Sequence, residues 1–309
     1  MVKVNKGSEL TNKLIRRTKS FPGWLVNTCF ERRYQKKWGS KELAVPSKVT
    51  LNEIEAFLGR TGISLGDTML VHSSWKHLSS GHFTPAQLVK LLLSTVGVQG
   101  TLAMPAFPPY FMQKPDTIFD VKRTPSGGGM LSDGFRRYPG VKRSINLNHS
   151  VCAIGPQAEF LTRDHHKSET SWDQNSPYYR LRDIDNAWIV GLGVGHRLKV
   201  ATSLHCVESA LWKENRYFKK LFREDVCYEY KTVSGETGSH CYKKRSGHIY
   251  TPKIAQHFTS DELIEDTIEG LDVYAIRART LIDKAIELGR EGKTMYIWPI
   301  PWPWYFGKK

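Results

Sequence analysis

From residue 46 onward the apolar positions alternate between two spacings. Leu51, Ile54, Phe57 and Leu58 recur at three- and four-residue intervals, the stripe of an amphipathic helix. Thr50 with Glu53 is a capping box at its start, and Gly59 and Gly62 close it. Thr68 to Val71 is a short β-like run ending in the polar His72-Ser73-Ser74. Thr84, Pro85 and Gln87 begin a second helix, through Leu88, Leu91, Leu92 and Val96 to Gly97. Gly100 to Pro105 is the next strand. Strand, polar turn, helix and strand make a βαβ unit, the mark of an α/β protein.

The pattern then breaks. Residues 107–135 hold prolines and the run Gly127 to Gly129, which predict a long irregular loop. Loops of that length in a compact domain are usually functional or disordered, and Phe107, Tyr110, Phe111 and Phe119 argue for one ordered over a site. Next, VKRSINLNHSVCAIGP (141–156) sets Lys142, Arg143, Ser144, Asn146, Asn148 and His149 against an apolar strand, Val151 to Ile154. A polar cluster at the mouth of a sheet is where an α/β protein usually holds its ligand. AWIVGLGVG (187–195) is a buried strand running into a glycine turn. Its glycines do not follow the GxGxxG spacing of dinucleotide binding, which argues against a nicotinamide or flavin enzyme.

Residues 202–212 predict a helix with Leu204, Val207 and Leu211 on one stripe and His205, Glu208 and Trp212 on the neighbouring one. Three residues apart, His205 and Glu208 lie side by side, so the carboxylate can orient the imidazole as a general base. The plainer alternative is a surface i,i+3 pair. Val226 to Tyr230 and the run from His240 form a hairpin turning near Ser234-Gly235. Thr259 with Glu262 predicts a further helix, and Gly270 leaves open whether 271–276 continues it or forms a strand; 280–288 is helical in either case. The tail, 291–309, ends in WPIPWPWYFGKK, which covers a core edge or meets a membrane or partner chain.

Of 309 residues, 40% are hydrophobic and 24% charged, ordinary for a soluble globular chain long enough for a real core. No run approaches the roughly 18 apolar residues of a membrane span, and no secretory signal opens the chain, so a cytoplasmic protein is expected. Cys29, Cys152, Cys206, Cys227 and Cys241 are scattered and form no CxxC pair. Five reduced thiols and no metal site are expected from them. The net charge of +15 suits a polyanion, an anionic membrane surface or small anionic ligands. Nothing resembling a finger, helix-turn-helix or RNA-recognition motif accompanies it, so nucleic acid is not expected. The arm at 1–45 mixes basic clusters with Phe21, Trp24, Phe30 and Trp38. It reads as a helix packed on the main domain, or as a peripheral contact with anionic membrane.

Together these segments resemble the aminoglycoside 3-N-acetyltransferase family. The resemblance runs over roughly 48–290 through Leu70-Val-His-Ser-Ser74, Val96 to Phe107, Phe135 to Ser144, Asn148 to Val151, Gly155-Pro156, Asn175 to Tyr178, Gly191 to Gly195 and Thr202 to Glu208. It implies a single α/β domain at 46–290, with a central mixed sheet flanked by helices and unlike the GNAT fold. It also implies acetyl transfer from acetyl-CoA to the amine of an aminoglycoside-like or amino-sugar acceptor, and allows a homodimer. On this resemblance His72, Ser73, Ser74, Phe107, Arg143 and Ser144 face the CoA. His205, Glu208 and His149 do the chemistry, and Asp133, Asn146 and Asp173 hold the acceptor. The chain departs from the family pattern at Asn146-Leu147-Asn148 and at Asp173-Gln174-Asn175, both beside the acceptor side.

Charge adds a qualification of its own. Residues 107–143 hold Lys114, Lys122, Arg123, Arg136, Arg137, Lys142 and Arg143 against Asp116, Asp120 and Asp133, which suits an anionic or neutral acceptor better than a polycation. Cys152 and Cys206 each lie near a histidine, which permits an acyl-cysteine route, although both fall in apolar surroundings that favour inert thiols. Two alternatives stand beside the acetyltransferase. One is a non-catalytic binding protein of the same fold; the other is an acyltransferase using another acyl-CoA in surface-glycan synthesis.

Overall fold

The computed structural model describes residues 47–114 and 117–307; the arm at 1–45 lies outside them. Helix α1 (Leu51–Arg60) starts on its capping box: the Thr50 N–H donates to Glu53 Oε2 at 2.6 Å and the Glu53 N–H to Thr50 Oγ1 at 3.4 Å. Strand β1 (Thr68–Ser73) follows. Helix α2 (Pro85–Val96) opens on the same device, Thr84 and Gln87 exchanging bonds of 2.8 and 3.2 Å. Strand β2 (Thr101–Pro105) pairs parallel to β1, completing the βαβ unit.

Segment 107–135 is more ordered than its prolines and glycines suggest. It contains β3 (Ile118–Asp120) and the start of α3 (Met130–Arg136). Gly129, at φ +95°, makes the left-handed step that lets the helix begin directly after the glycine run. Then come β4 (Lys142–Arg143), β5 (Val151–Ile154), β6 (Ala187–Leu192) and α4 (Cys206–Leu211). The hairpin β7 (Phe222–Lys231) and β8 (Thr237–Arg245) leads to β9 (His248–Ile249). The chain ends with β10 (Leu263–Ile268), β11 (Leu271–Arg277), α5 (Ala278–Arg290) and β12 (Tyr296–Trp298).

The helix expected from Thr259 is instead a single turn, with the Thr259 N–H on Glu262 Oε2 at 2.9 Å, and the chain passes straight into β10. Glu269 and Gly270 both take positive φ, 46° and 81°. That is the backbone of a tight hairpin turn, which pairs β10 with β11 and rules out a continuing helix.

The main sheet has the order β10-β11-β6-β1-β2-β5-β4, with β6, β1 and β2 parallel and the outer pairs antiparallel. It is the mixed sheet flanked by helices. Side chains alternate across it. Met69, Val71, Leu102 and Val190 pack on α1, α2 and α3, while Leu70, Ala103, Ile189 and Tyr274 pack on the α4 and α5 side. His72 follows Leu70 by two residues and so points to the α4 side. A smaller sheet, β3-β7-β8, covers Phe119, Leu147, Val226 and Tyr242.

The expectation of five reduced thiols is corrected at two positions. The β7–β8 register sets Cys227 opposite Cys241, and the two form a disulfide. That contact belongs to strand pairing across the hairpin turn, so the spacing of the cysteines did not signal it. Cys29 lies outside the described residues. The tail is no appendage: β12 pairs with β9, and Phe306 closes over Gly292, Tyr217 and Phe218.

Candidate active site

The parallel neighbours β1 and β6 end together, His72 beside Gly191 and Ser73 beside Leu192. After β1 the chain turns to the α2 face, and after β6 to the α4 face, which leaves a crevice outside the strand ends. Glycines keep it open. A Cβ on Gly191 would come within 2.1 Å of the Tyr274 ring, and Gly193 takes φ +69°. Beyond them Arg197, Leu198 and Val200 hold left-handed φ of 60°, 56° and 64°. Such conformations cost on the order of 1–3 kcal/mol each and persist only where packing imposes them. Leu198 is fully buried, and Lys199 O accepts the Tyr274 hydroxyl at 3.2 Å. This pinned segment delivers residues 202–205, a 3₁₀ turn running directly into α4.

There His205 Nδ1 lies 2.7 Å from Glu208 Oε1. A carboxylate only accepts, so Nδ1 carries the proton and Nε2 keeps its lone pair. The His205 side chain is 11% exposed and that of Glu208 is 0%, so the histidine meets a ligand and the glutamate stands behind it. Glu208 Oε1 also accepts the hydroxyl of Tyr296, and Arg245 Nη1 lies 3.2 Å from that hydroxyl. Burial drives the Glu208 carboxyl upward, but His205, Arg245 and Tyr296 outweigh it and hold it below its ordinary range. For His205, burial and the Arg245 charge win over Glu208 and lower its pKa. The imidazole is neutral at pH 7.

A row of rings extends from this pair. Trp172 lies 4.8 Å from His205, His149 lies 4.7 Å from Trp172, and Phe107 lies 5.7 Å from His149. Asn146 shapes the turn that presents His149, its Oδ1 accepting the N–H groups of Asn148 at 3.1 Å and His149 at 2.8 Å. Burial, followed by the charges of His205 and Arg245, depresses His149 strongly, and burial alone lowers His72 to about 4. His72 Nε2, His149 Nδ1, Trp172 Nε1, Glu208 Oε2 and Arg245 Nε are buried without partners among the described residues. Buried polar atoms are almost always bonded, so five along one row describe a place prepared for a polar ligand.

His72, Phe107, Asn146, His149, His205 and Glu208 therefore come together as the sequence suggested. Ser73 ends β1 half-buried; Ser74 is engaged, its Oγ 2.9 Å from His77 Nδ1 and its N–H on Leu192 O at 3.0 Å. The other expected residues serve the fold. Arg143 lies over the Phe119 ring and donates to Ser150 Oγ and to the carbonyls of Ala106, Val121 and Thr124. Ser144 Oγ bridges His165 Nδ1 and the Val151 N–H, both at 2.9 Å. Asp133 accepts the Ser126 N–H and pairs with Arg136 and Arg137. Asp173 accepts the N–H groups of Glu169, Thr170 and Asn175.

Sequence reasoning missed Trp172, Arg245 and Tyr296. Trp172 adjoins the Asp173-Gln174-Asn175 segment and was within reach. Arg245 and Tyr296 come from a hairpin end and the tail, 37 and 88 residues from Glu208 along the chain, and carried no local signal. Burial pushes Cys152 up to about 12 and Cys206 well above its ordinary value, so neither is a thiolate nucleophile. A separate cavity of about 430 Å³ lies along the outer part of α4, where Glu169, Asp283 and Glu214 pair with Lys213, Arg182 and Arg290. It contains neither His205 nor Glu208.

An α/β sheet with a carboxylate-oriented histidine at the ends of parallel strands defines a protein able to take a proton from a small-molecule ligand. The chain belongs to the aminoglycoside 3-N-acetyltransferase family, whose model matches residues 70–289. It is 34% identical over 149 residues to aminoglycoside N(3)-acetyltransferase IV of Salmonella sp, covering 48% of this chain and 54% of that one. It is 28% identical over 182 residues to aminoglycoside N(3)-acetyltransferase VII of Streptomyces paromomycinus, covering 52% and 60%. The chain thus spans little more than half the length of these relatives. The crystal structure of aminoglycoside acetyltransferase AAC(3)-IVa superposes with a TM-score of 0.62 at 25% identity, covering 78% of this chain and 89% of that one. AAC-IIIb bound to CoASH shares the fold, with a TM-score of 0.66 at 19% identity over 79% and 97%.

Proposed function

We propose that this protein transfers an acetyl group from acetyl-CoA directly to the amine of an aminoglycoside-like or amino-sugar acceptor, with His205 as general base. The observation that carries the reading is the 2.7 Å His205–Glu208 contact, with the histidine open to the site and the carboxylate sealed behind it. An amine attacks a carbonyl only when neutral, and a sugar ammonium is largely protonated at pH 7. The lone pair on His205 Nε2 takes that proton, Glu208 stabilises the resulting imidazolium, and Tyr296 and Arg245 keep Glu208 ionised. His149, held by Asn146 and stacked on Trp172, lines the acceptor side.

Bound acetyl-CoA would supply the acetyl group as a thioester, a carbonyl already activated toward amines. The crevice fits a slender, amide-bearing chain: the glycines at 191, 193 and 195 open it, and His72 Nε2 lies on its wall unpartnered. His72, Ser73 and the backbone after β1 are the groups that would hold it, with Phe107 on the opposite side. The CoASH complex of AAC-IIIb and the gentamicin complex of AAC(3)-IVa support this placement for those relatives.

Calorimetric titration with acetyl-CoA and with CoA, on the wild type and on His205→Ala, tests the reading. Binding by both proteins, with amine-dependent CoA release lost in the variant, is the expected result. No binding of either nucleotide overturns it and leaves a binding protein of the same fold.

A further inference from the structure

Arg245 is the cation closest to the reacting centre, and it is not engaged as the other buried arginines are. It is half-buried at the end of β8, donates to Gly247 O at 3.4 Å and Tyr296 Oη at 3.2 Å, and lies over the Tyr296 ring at 5.7 Å. Among the described residues it makes no ion pair within 4.0 Å, and its buried Nε has no partner. A guanidinium presents five donors in a planar fork suited to phosphate or carboxylate. One held beside a general base with donors to spare matches an anion that arrives with the ligand.

The carboxylates around it point the same way. A polycationic acceptor needs negative side chains facing it, and the two suggested by the sequence are engaged elsewhere. Asp133 is neutralised by Arg136 and Arg137, and Asp173 is bonded by three backbone N–H groups. Glu208, the carboxylate that touches His205, has no exposure. The lining of the ring row is aromatic or imidazole, and the charge added to it is the positive one of Arg245.

We infer that the acceptor is an amino sugar carrying an anionic group, a phosphate or a carboxylate, which Arg245 binds while His205 faces its amine. The inference rests on the acetyl-transfer reading and narrows its substrate class. The phosphates of CoA are a second source of the same chemistry. The pantetheine arm, however, keeps them far from the thioester, and Arg245 lies at the thioester end, one tyrosine away from the pair that would receive the amine's proton.

The test compares glucosamine 6-phosphate, glucosamine and gentamicin as acetyl acceptors for the wild type and for Arg245→Gln, read as CoA release. The wild type should favour the phosphorylated sugar over glucosamine by about 10- to 100-fold in kcat/KM, the worth of one charge-assisted fork. In Arg245→Gln that ratio should collapse toward one, mainly through KM. A ratio is used because it is unaffected by a rate loss common to both amines. Arg245→Lys, which keeps the charge without the fork, should retain part of it and serves if the Gln variant does not fold. A wild-type preference for gentamicin, or an equal loss with both sugars in Arg245→Gln, overturns the inference. So does a matching loss of CoA affinity by calorimetry, which would place the anion on the cosubstrate. If no amine is acetylated, the enzymatic reading fails separately. Titration of glucosamine 6-phosphate against glucosamine then decides the anion site: binding dependent on Arg245 upholds it, and no binding overturns it.

Discussion

Arg143, on β4 at the edge of the main sheet, and Arg245, at the end of the hairpin strand β8, stand in two regions that treat a cation differently. Arg143 is enclosed by the loop that returns from β2, and its fork meets three carbonyls and a serine hydroxyl. Burial depresses it, to about 10, yet it stays charged at any working pH. The β4–β5 region thus uses its arginine as a tie that fixes the loop from Phe107 to Thr124. Arg245 meets a carbonyl and a tyrosine hydroxyl, keeps an unpartnered Nε, and projects its charge onto Glu208 and His205. A saturated guanidinium reports on architecture; one with open donors beside a base reports on a ligand.

The strongest way to test the second region is to remove its base. His205→Ala should lower kcat by about 10²- to 10⁴-fold while the Kd for CoA changes little, since general-base help is worth that much. A fall in CoA affinity of the same size would make His205 a binding residue. In the first region, Arg143→Met should lower the free energy of unfolding in urea by about 3–5 kcal/mol, because buried carbonyls lose their partners. The same change at Arg245 should cost about 1 kcal/mol or less while altering amine selectivity. Equal stability losses at the two sites would erase the distinction.

Smaller effects sharpen it. Tyr296→Phe removes one of two bonds on Glu208 Oε1 and should reduce kcat by about tenfold, with CoA binding intact. The pH profile is the most delicate test. His205 acts as a base only when neutral and its pKa lies below the ordinary 6.5, so the rate should fall only as pH drops below that value. Arg245→Gln removes a charge that disfavours the imidazolium, so the acidic limb should move to higher pH. A limb that stays put would detach Arg245 from the base.

Local physics wrote the helices and the βαβ unit into the chain. Two capping boxes, Thr50–Glu53 and Thr84–Gln87, formed where residue types three apart required them, and apolar runs at β1, β2, β5 and β6 became strands. His205 and Glu208 were legible because an i,i+3 pair near a helix start is a neighbour whatever the rest does. His72, Phe107, Asn146 and His149 were legible through their family segments and the polar loop before β5. The helix read at Thr259 failed because a cap-like threonine–glutamate pair also suits a single turn, and pairing with β11 decided for the strand.

The sequence by itself therefore determined the α/β class, the family and the His205–Glu208 pair, since each depends on contacts between residues close along the chain. Only the tertiary structure decided which charged side chains face a ligand. It turned Arg143, Ser144, Asp133 and Asp173 inward, joined Cys227 to Cys241, and brought Arg245 and Tyr296 to Glu208. Those outcomes depend on strand register and on which buried acceptors remain unbonded once the sheets have closed. No local pattern of residue types encodes that result.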